Sequence, residues 1–339
     1  MFNPFLLTPT ASINRVKIVI APGLPRSLSG KTAYDLLGRN ALIQQVVTQF
    51  PDLASLSDPM PEFDRRYHAT HHPGAHSIAQ DMGLRLAWLL YTLKQGAAEN
   101  RAARPEWDVS YWEYWAGIER IIVGGGLVAG QLGQVMIQAT RFALDGLVSI
   151  ELAQHAAILP LLGAALKGAD LGSEAALVFD FGGTAVKRAR MQYHERKLQR
   201  YHSVPVPASR EPAELLEAMV NLIVATWRSA DRNGLSPNIT ASIANYVQNC
   251  QLAEDTSHGR LRSLGENSCD LIASEVGRRL DCPITLTLIH DGTAAAYVYA
   301  GSPKTAVIMV GTALGVGFPP LGGAPASLGS DQYTIEEIN

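Results

Sequence analysis

The sequence is poor in the features that mark several protein classes. It has three cysteines in 339 residues, Cys250, Cys269 and Cys282, and none lies in CxxC spacing. That excludes a disulfide-stapled scaffold and a thiolate zinc knuckle as expectations. Its apolar runs, near 84–93 and 156–166, fall short of the roughly 20 residues a membrane-spanning helix needs. The N-terminus lacks a basic segment ahead of its short apolar stretch, so no signal peptide is expected. A cytoplasmic location follows, and the Asn-Ile-Thr triplet at Asn238 then has no meaning as a glycosylation signal. Net charge is only −3, from 28 Lys and Arg against 31 Asp and Glu, with the basic residues scattered. No basic stripe for nucleic acid is present.

What the chain does have is a core-forming balance, 47% hydrophobic and 17% charged, over a length that suits about two domains. Short apolar or β-branched runs predict strands at 15–21, 120–123, 147–152, 176–181, 185–193, 239–244, 284–289 and 305–310. Helical periodicity predicts helices at 31–49, 77–95, 131–144, 155–167, 212–229, 263–280 and 292–300. Strands alternating with helices make this an α/β chain. The polar, Trp- and Tyr-rich stretch 95–115 reads as a long connection over a cleft, and 319–339 shows no periodicity.

Four segments could carry chemistry. In ALVFDFGGTAVKRARMQY (176–193), a buried strand delivers Asp180 to a turn of Gly182, Gly183 and Thr184. Glycines admit a phosphate close to the backbone, whose N–H groups can donate to it, and Asp180 could hold Mg²⁺ through water. The plain alternative is a β-hairpin. In CPITLTLIHDGTAAAYVYAG (282–301), Asp291 stands where a strand ends and a helix begins, a place for a proton-accepting carboxylate or simply for an N-cap. In TAVIMVGTALGVGF (305–318), Gly311 and Thr312 form a second phosphate-type turn, or again a hairpin. In IERIIVGGGLVAGQLG (118–133), Gly124, Gly125 and Gly126 permit close approach of a flat or anionic ligand. The last segment also fits a dinucleotide pattern if Ala129 replaces the final glycine, with Glu151 as the ribose acid. Two further patterns are set aside. APGLPRSLSGKT (21–32) has the wrong spacing for a P-loop. The run His68, His71, His72, His76 is interrupted by Pro73 and Gly74, so it reads as a solvated or capping loop rather than a metal site.

Together these segments resemble the nucleotide-site set of the actin, hexokinase and heat-shock ATPase superfamily, and within it the ROK family of sugar kinases. DFGGTAVKRA resembles that family's first phosphate motif, HDGTAAAY its catalytic-aspartate segment, VGTALGVGF its second phosphate motif, and IIVGGG its adenosine-side strand. HAAILPLLGAALKG resembles its C-terminal helix. The order differs: the adenosine segment and final helix precede the DFGGT-like strand across a linker at 169–174, as in a circular permutation. The resemblance implies a two-lobed ribonuclease-H-like (actin-like ATPase) fold, with lobes at 1–152 plus 291–339 and at 153–290. It implies ATP- and Mg²⁺-dependent phosphoryl transfer to a hydroxyl of a sugar or small polyol. Asp291 would be the base and Asp180 the metal residue. Gly182, Gly183, Thr184, Gly311 and Thr312 would hold phosphates, and Gly124–Gly126 would face adenosine. Dimers are common among similar kinases.

The sequence departs from the family on the acceptor side. His290 stands where the family commonly has Asn, the Glu-x-Gly-His sugar segment and cysteine-rich zinc module are absent, and ASIANYVQNC (241–250) replaces a Pro-Gly turn. Asn245, Glu266 and Asn267 are the polar residues left to contact the acceptor. Those departures keep two other readings open: a non-catalytic nucleotide or sugar sensor, and a dinucleotide-dependent oxidoreductase built on 124–130.

Overall fold

The structure, a computed structural model, describes the whole chain except residues 1, 70, 170–172, 207–210, 256, 266, 323–332 and 338–339. The chain divides into two units, one built on Thr10–Ala157 with Pro303–Val316, the other on Ile158–Ser302 with the segment from Gly317.

Unit 1 opens with a small hairpin, β1 (Lys17–Ile18) and β2 (Lys31–Thr32). Seven helices follow around two strands: α1 (Ala33–Leu37), α2 (Arg39–Gln49), α3 (Met60–Arg66), α4 (Pro73–Gln95), α5 (Ala98–Ala102), α6 (Val109–Ala116), β3 (Arg120–Gly124), α7 (Gln131–Leu144) and β4 (Ser149–Leu152). The helix expected at 31–49 starts only after Thr32, which caps α1 by accepting from the Asp35 N–H while Asp35 reaches back to the Thr32 N–H. It is divided at Gly38, whose extended backbone ends α1 and precedes α2. That capping box accounts for the Gly-Lys-Thr that suggested a P-loop. Pro73 and Gly74 do not interrupt α4 but begin it. Pro suits the first helical position, and His72 caps the helix, its Nδ1 accepting from the Ala75 N–H. Among the described residues no group of three or more metal-type ligands gathers.

The stretch 95–115 is not a connection over a cleft. It contains α5 and α6, with Asp108 capping α6 through the N–H groups of Ser110 and Tyr111. Trp107, Trp112 and Trp115 are buried. Each ring removes a large apolar area from water, which outweighs the polarity of the residues between them.

Unit 2 follows in chain order: α8 (Leu159–Lys167), β5 (Ala175–Phe181), β6 (Ala185–Gln192), β7 (Lys197–Pro205), α9 (Pro212–Ser229), β8 (Asn238–Ile243), a short hairpin β9 (Val247–Gln248) and β10 (Gln251–Leu252), α10 (Ser268–Leu280), β11 (Thr285–His290) and α11 (Asp291–Tyr297). The chain then returns to unit 1 with β12 (Thr305–Val310) and β13 (Leu314–Gly317), and ends in β14 (Thr334–Glu337).

The six-stranded sheet runs β11-β8-β5-β6-β7-β14. β5, β6 and β7 form an antiparallel meander, while β8 and β11 add in parallel on the other side of β5. That is the strand order of a ribonuclease-H-like sheet, with β14 added parallel to β7 within a tail that had shown no periodicity. In α9 the apolar residues Leu215, Met219, Ile223 and Trp227 recur every four residues. They close over Leu177, Phe179 and Phe181 of β5, with Ile272 and Val276 of α10 in the same core.

The four-stranded sheet of unit 1 runs β13-β12-β3-β4, with β12, β3 and β4 parallel. β12 and β13 are joined by three residues, too few for a parallel crossover.

One cysteine expectation is corrected: Cys250 and Cys269 form a disulfide, with Cα atoms 5.5 Å apart. The fold brings them together where the Ser268 N–H donates to the Cys250 carbonyl, a contact between segments that no sequence spacing announces. Among the described residues no helix is long and apolar enough to cross a membrane.

Candidate active site

The carboxyl ends of the three parallel strands β5, β8 and β11 build the site, the edge at which open α/β sheets place their reactive groups. In register, Asp180 of β5 pairs with Ser242 of β8, Ser242 with Ile289, and Ile243 with His290 of β11. Asp180 is 2% exposed, and both of its oxygens are engaged. Oδ1 accepts from the Ser242 hydroxyl at 2.7 Å, and Oδ2 accepts from the Lys187 ammonium at 2.8 Å. Lys187 reaches it because it stands directly opposite Asp180 on β6. Burial works against the lysine's charge, but the charge and hydrogen bond of Asp180, with Tyr201 and Asp291, outweigh it and hold the pKa above its ordinary value.

Asp291 begins α11. Three small residues in a row, Ala294, Ala295 and Ala296, are buried there. They let α8 approach so closely that a side chain at Gly163 would strike the Ala294 carbonyl. The Asp291 carboxylate is 24% exposed and accepts from the Gly292 N–H at 2.6 Å through Oδ1. Burial and the nearby Asp180 charge push its pKa up to about 7, against the opposing pull of the Gly292 N–H and Lys187. A carboxylate tuned to that range can exchange a proton near neutrality.

The glycine turns divide between the units. In unit 2 the Gly182 N–H donates to the Ala185 carbonyl and so closes its own turn. In unit 1 the Gly311 N–H likewise donates to Ala313, and the carbonyls of Gly311 and Thr312 take the Arg39 N–H. Gly125 has φ of 107°, and a side chain there would collide with the backbone of Val310 on β12. Close packing of β3 on β12 therefore requires this glycine by itself. Gly126 has open space around it. Glu151, the expected ribose acid of a dinucleotide site, is held by both nitrogens of the Arg120 fork, at 2.8 and 2.7 Å.

The acceptor-side residues have structural work. Asn245 is buried, with Oδ1 accepting from the Ala253 N–H and Nδ2 donating to the Ala253 carbonyl and to Asp255. It closes the loop that carries β9 and β10. Asn267 caps α10 through the N–H groups of Cys269 and Asp270. Glu266 lies outside the described residues. Lys187 was missed in the sequence, although a hairpin turning at 182–184 sets residues 180 and 187 opposite each other, a signal that was available.

Compared with known proteins, the chain matches no family model and no curated protein. Among solved structures it is similar to an inorganic polyphosphate/ATP-glucomannokinase from Arthrobacter sp. strain KM, at 23% identity and a TM-score of 0.32 over 42% of this chain and 56% of that one. It is also similar to a ROK family glucokinase from Streptomyces griseus in complex with glucose and AMPPNP (18%, TM-score 0.32, 44% and 46%). A ROK hexokinase from Thermus thermophilus stands alongside (18%, TM-score 0.31, 44% and 48%). The chain spans about half the length of these structures.

Proposed function

We propose that the protein transfers a phosphoryl group from ATP to a hydroxyl of a sugar or similar small polyol. The observation that carries this reading is Asp291. It is a partly exposed carboxylate at the carboxyl edge of parallel strands, with its pKa pushed up to about 7, beside the buried Asp180–Lys187 pair.

Asp291 takes the proton from the acceptor hydroxyl as that oxygen bonds to the terminal phosphorus and the bond to the departing diphosphate breaks. Lys187 places positive charge near the anionic groups. The N–H groups of Gly183 and Thr184 are the ones left in the first turn to meet phosphate oxygens, since that of Gly182 is engaged. Gly311, Thr312 and Gly124–Gly126, the phosphate and adenosine residues expected from the sequence, belong to unit 1.

The donors fit Mg²⁺ only at second remove. No cluster of three or more carboxylate, His or Cys groups exists to hold a bare ion among the described residues. Each Asp180 oxygen already accepts one hydrogen bond but retains capacity for metal-bound water. When bound with the nucleotide, the ion would neutralise phosphate charge. The engagement of Asn245 and Asn267 in loop closure and capping supports the second reading, a sensor that binds without turnover.

The test is thermal stability with Mg²⁺-ATP, NAD(P)H and a panel of sugars, followed by a phosphoryl-transfer assay. A ligand at 100 times its dissociation constant adds about 2.7 kcal/mol. Stabilisation by Mg²⁺-ATP with turnover that Asp291→Ala abolishes supports the kinase, and stabilisation without turnover supports the sensor. Indifference to ATP sinks the kinase, and indifference to ATP and to every sugar sinks the sensor as well.

A further inference from the structure

His290 and the 241–250 segment are two of the departures from the family noted above, and the structure joins them. Tyr246, from that segment, stacks on the His290 ring with centroids 4.4 Å apart and planes 12° from parallel. His290 is only 6% exposed, so it offers an acceptor little surface. Both of its nitrogens lie beside groups of the chain itself. Nδ1 accepts from the backbone N–H of Thr293 at 3.3 Å, with the Thr293 hydroxyl at 3.1 Å. A backbone N–H can only donate, so Nδ1 is bare and the ring proton sits on Nε2. Nε2 stands 3.2 Å from Oδ1 of Asp291.

We propose that His290 is a positioning residue for Asp291, gripping the carboxylate through Oδ1 so that Oδ2 is the oxygen that receives the proton. The proposal rests on the reading of Asp291 as the base. Oδ1 accepts from the Gly292 N–H and has the imidazole Nε2 as a second polar neighbour 3.2 Å away. An oxygen so engaged is the poorer proton acceptor, which leaves Oδ2. The grip does not quench the base, because the ring is neutral: burial pushes the His290 pKa down to about 4. A cation in the same place would pull the Asp291 pKa down with it. Tyr246 fixes the plane of the ring, and the Thr293 N–H fixes its tautomer, so the carboxylate is held from outside α11 as well as from within. The charged and titratable groups acting on Asp291 are Asp180 from β5 and Lys187 from β6. Tyr201 of β7 couples to that pair, and Lys167 of α8 lies over Tyr297 at the far end of α11.

Three measurements test the grip. Nitrogen-15 NMR of the imidazole is expected to show the neutral Nε2–H form from pH 5 to 8, without any substrate. A charged ring at pH 6, or the Nδ1–H form, overturns the proposal. His290→Ala is expected to lower kcat about 10- to 100-fold, the scale of a misplaced catalytic group, while KM for ATP stays within about twofold. The acid limb of kcat/KM should move to higher pH as Oδ1 loses the imidazole N–H beside it. His290→Asn, which can both accept from Thr293 and donate to Oδ1, is expected to restore most of the loss. A His290→Ala enzyme that is folded, with wild-type kcat and an unmoved limb, overturns the proposal while leaving Asp291 in place. Wild-type turnover in Asp291→Asn overturns the base and the grip together. If the chain binds without turnover, a carbon-13 titration of the Asp291 carboxyl replaces the rate. A pKa that rises in His290→Ala and returns in His290→Asn supports the grip, and one that is the same in all three proteins overturns it.

Discussion

The two sheets invite comparison because each places a tight hairpin beside two parallel strands, and each keeps a different kind of residue at its strand ends. In unit 2 the penultimate residues of β5 and β8 are Asp180 and Ser242, and β11 hands over to His290 and Asp291. In unit 1 the penultimate residues of β12, β3 and β4 are Met309, Val123 and Glu151, and Glu151 is tied to Arg120. Where unit 2 has ionic groups, unit 1 has glycines and backbone. One arrangement of strands thus serves two ends: fixing charges in one unit, and bringing backbone close in the other. The chain order differs too. In unit 1 the parallel strands β3 and β4 come before the hairpin β12–β13, whereas in unit 2 the meander comes first. A rotation of chain ends within one of two like sheets would leave this pattern, which supports a circular permutation.

The largest expected effect breaks the ionic side of the comparison. Asp180→Ala strands the Lys187 ammonium, whose side chain is 19% exposed. Removing one member of a buried pair costs about 3–5 kcal/mol, readable as a lower urea midpoint. Asp180→Leu with Lys187→Met should recover most of that stability, because an apolar pair of similar volume avoids the desolvation cost. A double variant as unstable as the single one would show that the pair does not act as a unit.

Much of the fold around this candidate site is legible in the sequence. Expected bounds match β12, α7 and α9 residue for residue, Asp180 stands one residue before the end of β5, and Asp291 directly follows β11 at the start of α11. The failures share a physical cause. β7 reads KLQRYHSVP, too polar for a buried strand, and forms because β6 and β14 supply its hydrogen bonds. Asn245 and Asn267 looked like ligand groups because a sequence shows an amide but not the N–H it will satisfy. The Cys250–Cys269 bond and the Tyr246–His290 stack likewise join segments that only the folded chain brings together.

The backbone side of the comparison is sharpened by two neighbouring glycines. Gly125→Ala adds a Cβ against the Val310 backbone in a left-handed conformation, and should cost roughly 2–4 kcal/mol from strain and displaced packing. Gly126→Ala meets nothing nearby and should change stability by less than about 0.5 kcal/mol. If Gly126→Ala nonetheless weakens ATP binding severalfold, the open side of the turn faces the nucleotide. If it does not, the glycines of this segment serve packing alone.

Titration of Asp291 should separate the two units further. Its folded pKa, about 7, lies above the ordinary 3.8, so the native state binds this proton more tightly than the unfolded chain. Stability from this group is full below about pH 4 and is lost as pH rises towards 7. Asp291→Asn removes that dependence. It should match the wild type near pH 4 and exceed it by roughly 1–3 kcal/mol at pH 8. Equal denaturant midpoints at pH 8 would mean that the site solvates the charge better than its burial implies.

The smallest effect belongs to Glu151, the penultimate residue of β4 as Asp180 is of β5. Its side chain is 43% exposed, and that of Arg120 is 38% exposed. Solvent therefore screens the pair, and Glu151→Gln should cost no more than about 1 kcal/mol despite its two-pronged geometry. Arg120 holds the Glu151 pKa below its ordinary value, so what little stability the pair adds is present at neutral pH and fades as acid protonates the carboxyl. The variant also bears on function. A carboxylate already held by a guanidinium fork is poorly disposed to receive a ribose, so Glu151→Gln should leave ATP stabilisation unchanged. Stabilisation of the wild type by NAD(P)H that this variant loses would reverse the assignment, making β4 rather than β5 the strand whose acid meets a nucleotide.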